Sequence, residues 1–549
     1  MENNLMELND VNGKTISEFK VSSNSEITEE ILKKCGGYGL FQKICTAFVL
    51  TFLILDALSY LTVVFIREEV AFACYPANFN ESMIPSNISL DEFLSDVTVK
   101  EEKCSVYNLD TEEGFYVLPT SNSTKEPCNY GRKFFPKDVT YMVSDYDLVC
   151  DREWLKNIAA PAMFGGVLVG ALTVAPFSDK FGRFKIYIFG EIFYLLCRAV
   201  KLNSPNYVML IVMYFLEGLA QSFSFLVTYT ILIECVSQDY RMPLNFISHG
   251  AFAIGEILLA GVAYLIRDWK HLQYATCLPR VVLVVVAFKY LPESPRWLLN
   301  KKRFAKAKRA FEKMARTNKK DSRGAINLIR MLQAEAESNP GTNRKFRDKT
   351  YTALHLLKIP RRAMISINLW FCWFVNSMLY YGVTLNSVDM SGNKYLNFLM
   401  ISVIEIPSGI LGVVLYHYFG HRKPLFFLMV FGGINCIVSN FVPTGNFWYP
   451  LILTVLGKLG ATASFSGVYL TSAELFPTVV RNIGLGTSSS FARVGSLVSP
   501  LILGLTVYGS WIPLTVYGIL GIFSGFLILL LPEMKESSLL QTFEEMDKL

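Results

Sequence analysis

Six ionisable side chains fall inside apolar stretches of this sequence: Asp56 in FLILDALSYLTVV, Glu217, Glu256, Glu405 just before IPSG, Lys458 in LGKLG and Arg493 in SFARVGSLVSP. In hydrocarbon such groups pair with one another or line a polar cavity, so each is a candidate for handling charge. The carboxylate of Asp56 could attract an organic cation or accept a proton; the plainer alternative is a hydrogen bond to a neighbouring helix. Glu217 and Glu256 suit ion pairs with Arg or Lys of other helices as well as they suit a site. Arg493 is the main basic candidate, because a guanidinium grips a carboxylate through a two-pronged fork. Trp373, Tyr380, Tyr381, Phe465 and Tyr469 add ring faces that attract quaternary ammonium groups. With 41 Phe and 27 Tyr in the chain, most rings must serve packing or the interfacial belt instead.

The elements that must hold these residues follow from composition. The 549 residues are 52% hydrophobic and only 18% charged, with mean hydropathy +0.34. Soluble chains carry about a quarter charged residues. Twelve apolar runs stand out, near 45–66, 155–175, 185–203, 207–235, 243–266, 272–291, 361–385, 394–416, 423–441, 447–472, 482–507 and 511–531. Each is long enough to cross a hydrocarbon core of about 30 Å. Lipid offers the backbone no hydrogen-bond partner, so the runs must be helices. The expected fold is an all-α membrane protein of twelve transmembrane helices.

Charge placement orients them. Residues 292–362 carry twenty Lys/Arg against six Asp/Glu, whereas 68–152 carry seven against sixteen. The positive-inside rule puts the first stretch, and both termini with it, in the cytoplasm. The acidic stretch, a large loop after the first helix, is then extracellular. It holds Cys74, Cys104, Cys128 and Cys150 and the three glycosylation sequons, at Asn80, Asn87 and Asn122. Four cysteines in an oxidising compartment predict two disulfides in one of three pairings, with zinc the weaker reading. No apolar stretch precedes Cys45, so no cleaved signal peptide is expected.

The chain also repeats itself. Glu234 and Arg241 after the fourth run recur as Glu474 and Arg481 after the tenth, and Pro292 and Glu293 recur as Pro532 and Glu533, all 240 residues on. Gly182 in SDKFGR has a counterpart in Gly420 of HYFGHR, 238 residues on. Three landmarks in register imply two pseudo-symmetric six-helix bundles, an architecture that places a solute site near the membrane midplane between them. The repeated residues are charged and sit at predicted cytoplasmic helix ends. Asp179, Arg183, Glu234, Arg241, Glu293, Arg296, Glu474 and Arg481 are therefore candidates for a cytoplasmic gate, two ion-pair clusters that join the halves in one state and part in another. Ordinary charged helix ends are the alternative.

Taken together, GLFQK (39–43), the Cys-bearing loop, SDKFGR, DWKHLQ (268–273), PESPRWLL (292–299), YYG (380–382), YLN (395–397), EIP (405–407) and ELFPTVVRNIGLG followed by ARVGSLVSP resemble the organic cation, anion and carnitine transporters, solute carrier family 22 of the major facilitator superfamily. The resemblance covers about residues 35–545. It implies that Asp56, Trp373, Tyr380, Tyr381, Glu405 and Arg493 bind substrate, with Arg at position 493 typical of relatives that handle anions or zwitterions; Phe465 and Tyr469 are substrate-binding candidates by their rings. Tyr214 stands where the family has Arg, His417 and His421 where Asp and Arg are usual, and Ala175 replaces a Gly. These departures keep open a receptor-like member that does not transport.

The resulting expectation is a transporter of small organic ions, a cation or a zwitterion such as carnitine favoured and an anion as the alternative, working by alternating access in the plasma membrane. Its domains are expected to be a cytoplasmic tail (1–41), a first bundle (42–291, with the extracellular loop at 67–153), a cytoplasmic linker of amphipathic helices (292–360), a second bundle (361–531) and a tail (532–549). The partners implied are the solute, the lipid bilayer and a coupling ion, Na+ or H+. No cofactor, metal or nucleic acid is expected. Nucleophile–base pairs, phosphate-binding glycine loops and metal-spaced histidines are missing from the sequence, which argues against an enzyme.

Overall fold

The computed structural model describes residues 24–67, 70–84, 88–99, 104–109, 111–112, 115–116, 123–135, 139–338, 352–442, 447–477, 480–532 and 543–548. Twelve helical spans follow the twelve apolar runs. The first six are Leu40–Tyr60, Ala159–Phe181, Arg183–Leu202, Tyr207–Cys235, Gln238–Leu265 and Trp269–Tyr290. The seventh is Pro360–Asn386, and the eighth has two pieces, Lys394–Val403 and Glu405–Phe419. The last four are Arg422–Val438, Trp448–Leu475, Arg481–Leu503 and Ile512–Ile528. Among the described residues, nine spans are long and apolar enough to cross a membrane by length and composition alone. The ninth and twelfth are short, at 17 residues each. The third is too charged to qualify, and its geometry explains why that is tolerated. Glu191, Tyr194, Arg198 and Lys201 are buried along one stripe, while Phe189, Ile192, Leu196 and Val200 face outward. This helix is amphipathic inside out, with polar groups toward its neighbours and apolar groups toward lipid.

The helix pairings repeat with a shift of six. First packs on fifth and sixth, and third on fourth; seventh packs on eleventh and twelfth, and ninth on tenth. Between the halves, second meets eleventh and fifth meets eighth, two contacts that interchange under the same shift. This is the two-bundle architecture of the major facilitator fold. Gly182 and Gly420 both adopt positive φ, +107° and +74°, at the turns after the second and eighth spans, a conformation that side chains with a Cβ disfavour. Gly166 and Gly170 lie where a Cβ would strike the backbone of the fourth span, which fixes the closest helix approach of the first bundle. The break in the eighth span precedes Pro407, which has no N–H to return to the carbonyl of Val403.

The segment between the first two spans folds on its own small core of Phe93, Leu94, Val97, Val106 and Tyr116. Three antiparallel ribbons (Ala71–Cys74 with Arg132–Phe135, Ser105–Tyr107 with Lys125–Pro127, Thr111–Glu112 with Phe115–Tyr116) and the helix Leu90–Val97 build it. Its disulfides are Cys74–Cys128 and Cys104–Cys150, one of the three pairings left open by sequence. Asn80 is exposed and its side-chain oxygen accepts hydrogen bonds from the N–H and hydroxyl of Ser82. Asn87, Asn122 and Glu533 lie outside the described residues.

At the opposite face, helices Pro295–Asn300, Phe304–Thr317 and Arg323–Ser338 form a cluster under the bundles. A fourth helix, Asn24–Lys34, comes from the stretch expected to be a plain tail. Its Ile27, Ile31 and Leu32, followed by Cys35, pack against Trp297, Phe311, Met314 and Leu328. The i, i+4 spacing of Ile27 and Ile31 supplies the stripe that docks it. Burial pushes the Cys35 thiol up to about 11, so it stays a neutral packing group.

Candidate functional site

A cleft between the halves, enclosing about 550 Å3 with its open mouth included, is lined by Tyr60, Gln221, Phe252, Tyr381, Phe465 and Arg493 together with smaller and apolar neighbours. Three of the residues expected to bind substrate, Tyr381, Phe465 and Arg493, are on its wall. Tyr380 packs edge-on against both Tyr381 and Phe465. Trp373 lies behind them, its ring against Phe465 and Tyr469 and its indole N–H donating to Ser472 Oγ at 2.9 Å. Among the described residues, the guanidinium of Arg493 makes neither an ion pair nor a hydrogen bond. Polar neighbours on the wall are Tyr60, Gln221, Ser377, Tyr381 and Ser496, with Tyr60 and Tyr381 within its electrostatic reach.

Asp56 lies elsewhere. It is fully buried and does not line the cleft, because Arg280 of the sixth span reaches it at 2.9 Å and Gln221 donates to it at 2.9 Å. The same Arg280 holds Glu191 at 2.5 Å. A second buried triad lies beside it, where Glu217 takes Arg198 at 2.5 Å and also Lys201. The ring of Tyr194 stands between the triads, with Arg280 4.0 Å and Arg198 5.1 Å from its centroid. Lys201 sits 4.0 Å over the ring of Tyr214, the departure noted in the sequence. Glu191, Arg198, Lys201 and Arg280 were missed by sequence reasoning. All four interrupt apolar runs, so the signal that flagged Asp56 was present for them too.

Glu405 is likewise set back from the wall. Lys458 Nζ lies 2.8 Å from Glu405 and 2.6 Å from Thr384 Oγ1, and 3.2 Å over the ring of Tyr380. The hydroxyl of Tyr380 donates at 3.3 Å to Glu256 of the fifth span, whose carboxyl adjoins that of Glu405. Tyr380 thus connects Tyr381 on the cleft wall to a polar group built by both halves.

The expected gate residues come together in separate clusters. Arg183 pairs with Asp179 at 2.8 Å and with Glu234 at 3.2 Å. Glu293 accepts from the backbone N–H groups of Arg183 (2.8 Å), Phe184 (3.3 Å) and Ser294 (3.1 Å). Burial pushes the Glu293 carboxyl above its usual range, against these N–H groups and Arg183, which pull it down. Arg241 and Arg296 both bind Glu29 of the docked amino-terminal helix, a partner the sequence did not reveal. Glu29 also accepts from the N–H of Gln238 at 2.5 Å. In the second half, Glu474 pairs with His421 at 2.7 Å and Arg481 turns to the carbonyl of Phe476. Among the described residues, every ion pair of these clusters stays within one half or reaches the amino-terminal helix.

The halves do meet at the other face. Arg67, after the first span, binds Asp389 and the carbonyl of Leu385 (3.0 Å) after the seventh. Phe65 packs on Tyr395 and Phe398, and Tyr60 and Phe164 pack on Tyr381. Among the described residues, an ion pair and ring contacts join the halves on the side of the disulfide-bonded loop, and none of the gate clusters joins them on the side of the helical linker.

Residues 90–549 match the family model described as Sugar (and other) transporter. The chain is 31% identical over 523 residues to an organic cation transporter protein of Drosophila melanogaster, covering 94% of each. It is 30% identical over 544 residues to solute carrier family 22 member 1 of Bos taurus, covering 95% of this chain and 93% of the relative. In fold it is similar to a xylose transporter of E. coli in a partially occluded inward-open conformation, with TM-score 0.57 at 14% identity over 90% of this chain and all of that one.

Proposed function

The chain belongs to the family of sugar and other transporters, and within it to solute carrier family 22, and from that premise we propose that it carries carboxylate-bearing organic ions, a zwitterion such as carnitine foremost. It is a multi-pass membrane transporter of organic solutes and not an enzyme. The observation that carries the finer reading is Arg493, a guanidinium without a counter-charge on the wall of an aromatic cleft. An unbalanced cation at this depth is costly unless a ligand or water meets it, and a carboxylate is the group its fork fits. The rings of Tyr60, Tyr381, Phe252 and Phe465 offer faces to a quaternary ammonium at the other end of the same solute. A simple organic cation, the class in the name of the Drosophila relative, meets like charge at Arg493. An organic anion satisfies Arg493 equally well and is the second reading.

Transport proceeds by alternating access. The linker face is cytoplasmic and the disulfide-bonded loop extracellular, as the basic linker supports, so the closed loop face and untied linker face describe an inward-facing state. In the outward-facing state Asp179, Arg183, Glu234, Glu293, Glu474 and Arg481 exchange partners across the halves and hold the cytoplasmic side shut. Asn80, Asn87 and Asn122 are glycosylated, and the coupling ion is Na+ or H+.

Uptake of carnitine, an organic cation and an organic anion by cells expressing wild type or Arg493→Ala tests the reading. A charge-assisted hydrogen bond contributes about 1.5–3 kcal/mol, so carboxylate-bearing substrates should lose roughly 10- to 100-fold in apparent affinity. Undiminished carnitine and anion uptake would refute it. Silence of wild type toward the whole panel would favour a receptor-like member.

A further inference from the structure

We propose that Glu256 and Glu405 form a proton-binding site that joins the two halves of the transporter, resting on the transport reading above. The two carboxyls come from different bundles, Glu256 from the fifth span and Glu405 from the eighth, at one of the two helix contacts between halves. Glu256 is fully buried and its Oε2 has no hydrogen-bond donor. Glu405 Oε1 is likewise buried without a hydrogen-bond partner, its counter-charge Lys458 lying 2.8 Å away. One proton on either carboxyl supplies the hydrogen of a bond between the two acids.

The surrounding charges agree. Lys458 of the tenth span balances one carboxylate, and its other contacts are the hydroxyl of Thr384 and the carbonyl and ring of Tyr380. Two ionised carboxylates beside this single ammonium would leave a net negative charge in a dry interface, a far costlier arrangement than one shared proton. From the seventh span, Tyr380 donates to Glu256 Oε1 and Tyr381 lies within electrostatic reach of both acids and of Arg493. From the eighth, Ser402 faces Glu256. On the fifth span itself, His249 lies two turns from Glu256 and within reach of Glu405. The first span, packed on the fifth, offers Asp56, which is already bound to Arg280 and Gln221.

The consequence is mechanical. With the proton in place, Glu256 and Glu405 bond across the contact between fifth and eighth spans. When the proton leaves to water, two like charges face each other there and favour a different apposition of the halves. Proton occupancy and the position of the bundles are then linked, as reciprocal coupling requires.

Infrared difference spectra of the purified full chain in lipid nanodiscs, acidic against alkaline, read the proton directly. A protonated-carboxyl C=O band should be present in wild type and lost in Glu256→Gln, and Tyr380→Phe should shift it by removing the phenolic donor. A band unchanged in both variants overturns the proposal. In uptake assays Glu256→Gln should flatten the pH profile at least threefold, and a profile identical to wild type overturns the coupling. A wild type that transports nothing but shows the band would sink the transport reading and leave the proton site standing.

Discussion

In the first bundle, three buried acids (Asp56, Glu191, Glu217) face three buried bases (Arg198, Lys201, Arg280), with each carboxylate held by at least one cation. Between the bundles the arithmetic fails to close locally: Glu256 and Glu405 share Lys458, while Arg493 looks into the cleft with nothing opposite. The triads are fully enclosed, whereas Arg493 is half-buried on the cleft wall. A closed set of charges is a strut, because every group already has its partner and none is left to meet a visitor. An open set leaves groups to be met from outside, as the proposed proton site on the acidic side and the proposed carboxylate site on the basic one require. A mid-membrane charge therefore identifies a site only after its partners are counted.

Removing one member of the closed set should have the largest effect. Arg280→Leu strands Asp56 and Glu191 and should cost about 3–5 kcal/mol, read as a strongly lowered melting temperature or loss of folded protein in detergent. If the melting temperature held, the strut interpretation would fail. Arg493→Ala should do the opposite, leaving melting within about 1 kcal/mol of wild type because no partner is orphaned, while uptake of carboxylate-bearing solutes falls as given above. A smaller effect is expected at the linker face. Glu29→Gln removes the carboxylate shared by Arg241 and Arg296, a partly exposed arrangement worth about 1 kcal/mol, and protease cleavage near the Asn24–Lys34 helix should quicken accordingly. Unchanged cleavage would mean the apolar stripe alone holds the helix.

The smallest effect concerns Glu293. Its folded-state value lies above the unfolded one because of burial, so its contribution favours folding below the ordinary carboxylate value of about 4.3 and is lost as pH rises through the folded value. Melting of Glu293→Gln across a pH series should therefore gain on wild type as pH goes from about 4 to neutral. A constant difference would show that burial and the backbone N–H groups cancel, and a reversed trend that the N–H groups prevail.

Much of this was legible in the sequence. Apolar run length located all twelve spans, since lipid leaves the backbone only helices, and the offset between Glu234 and Glu474 gave the duplication before any fold was seen. The fate of Asp56 was not legible, because Arg280 is 224 residues away and nothing local says which of several intramembrane cations will meet it. Glu29 escaped for a related reason: its helix is short, and its charge makes sense only once Arg241 and Arg296 are brought together. Pairing of the loop cysteines was open among three choices, since spacing alone does not fix which strands lie side by side.

That pairing has a practical consequence. Cys74–Cys128 and Cys104–Cys150 are interleaved along the chain, so any single peptide-bond cut between Cys74 and Cys150 falls inside at least one covalent ring. A nicked molecule should run as one band on a non-reducing gel and as two after reduction, with its disulfide-bonded loop still tethered to the spans on both sides.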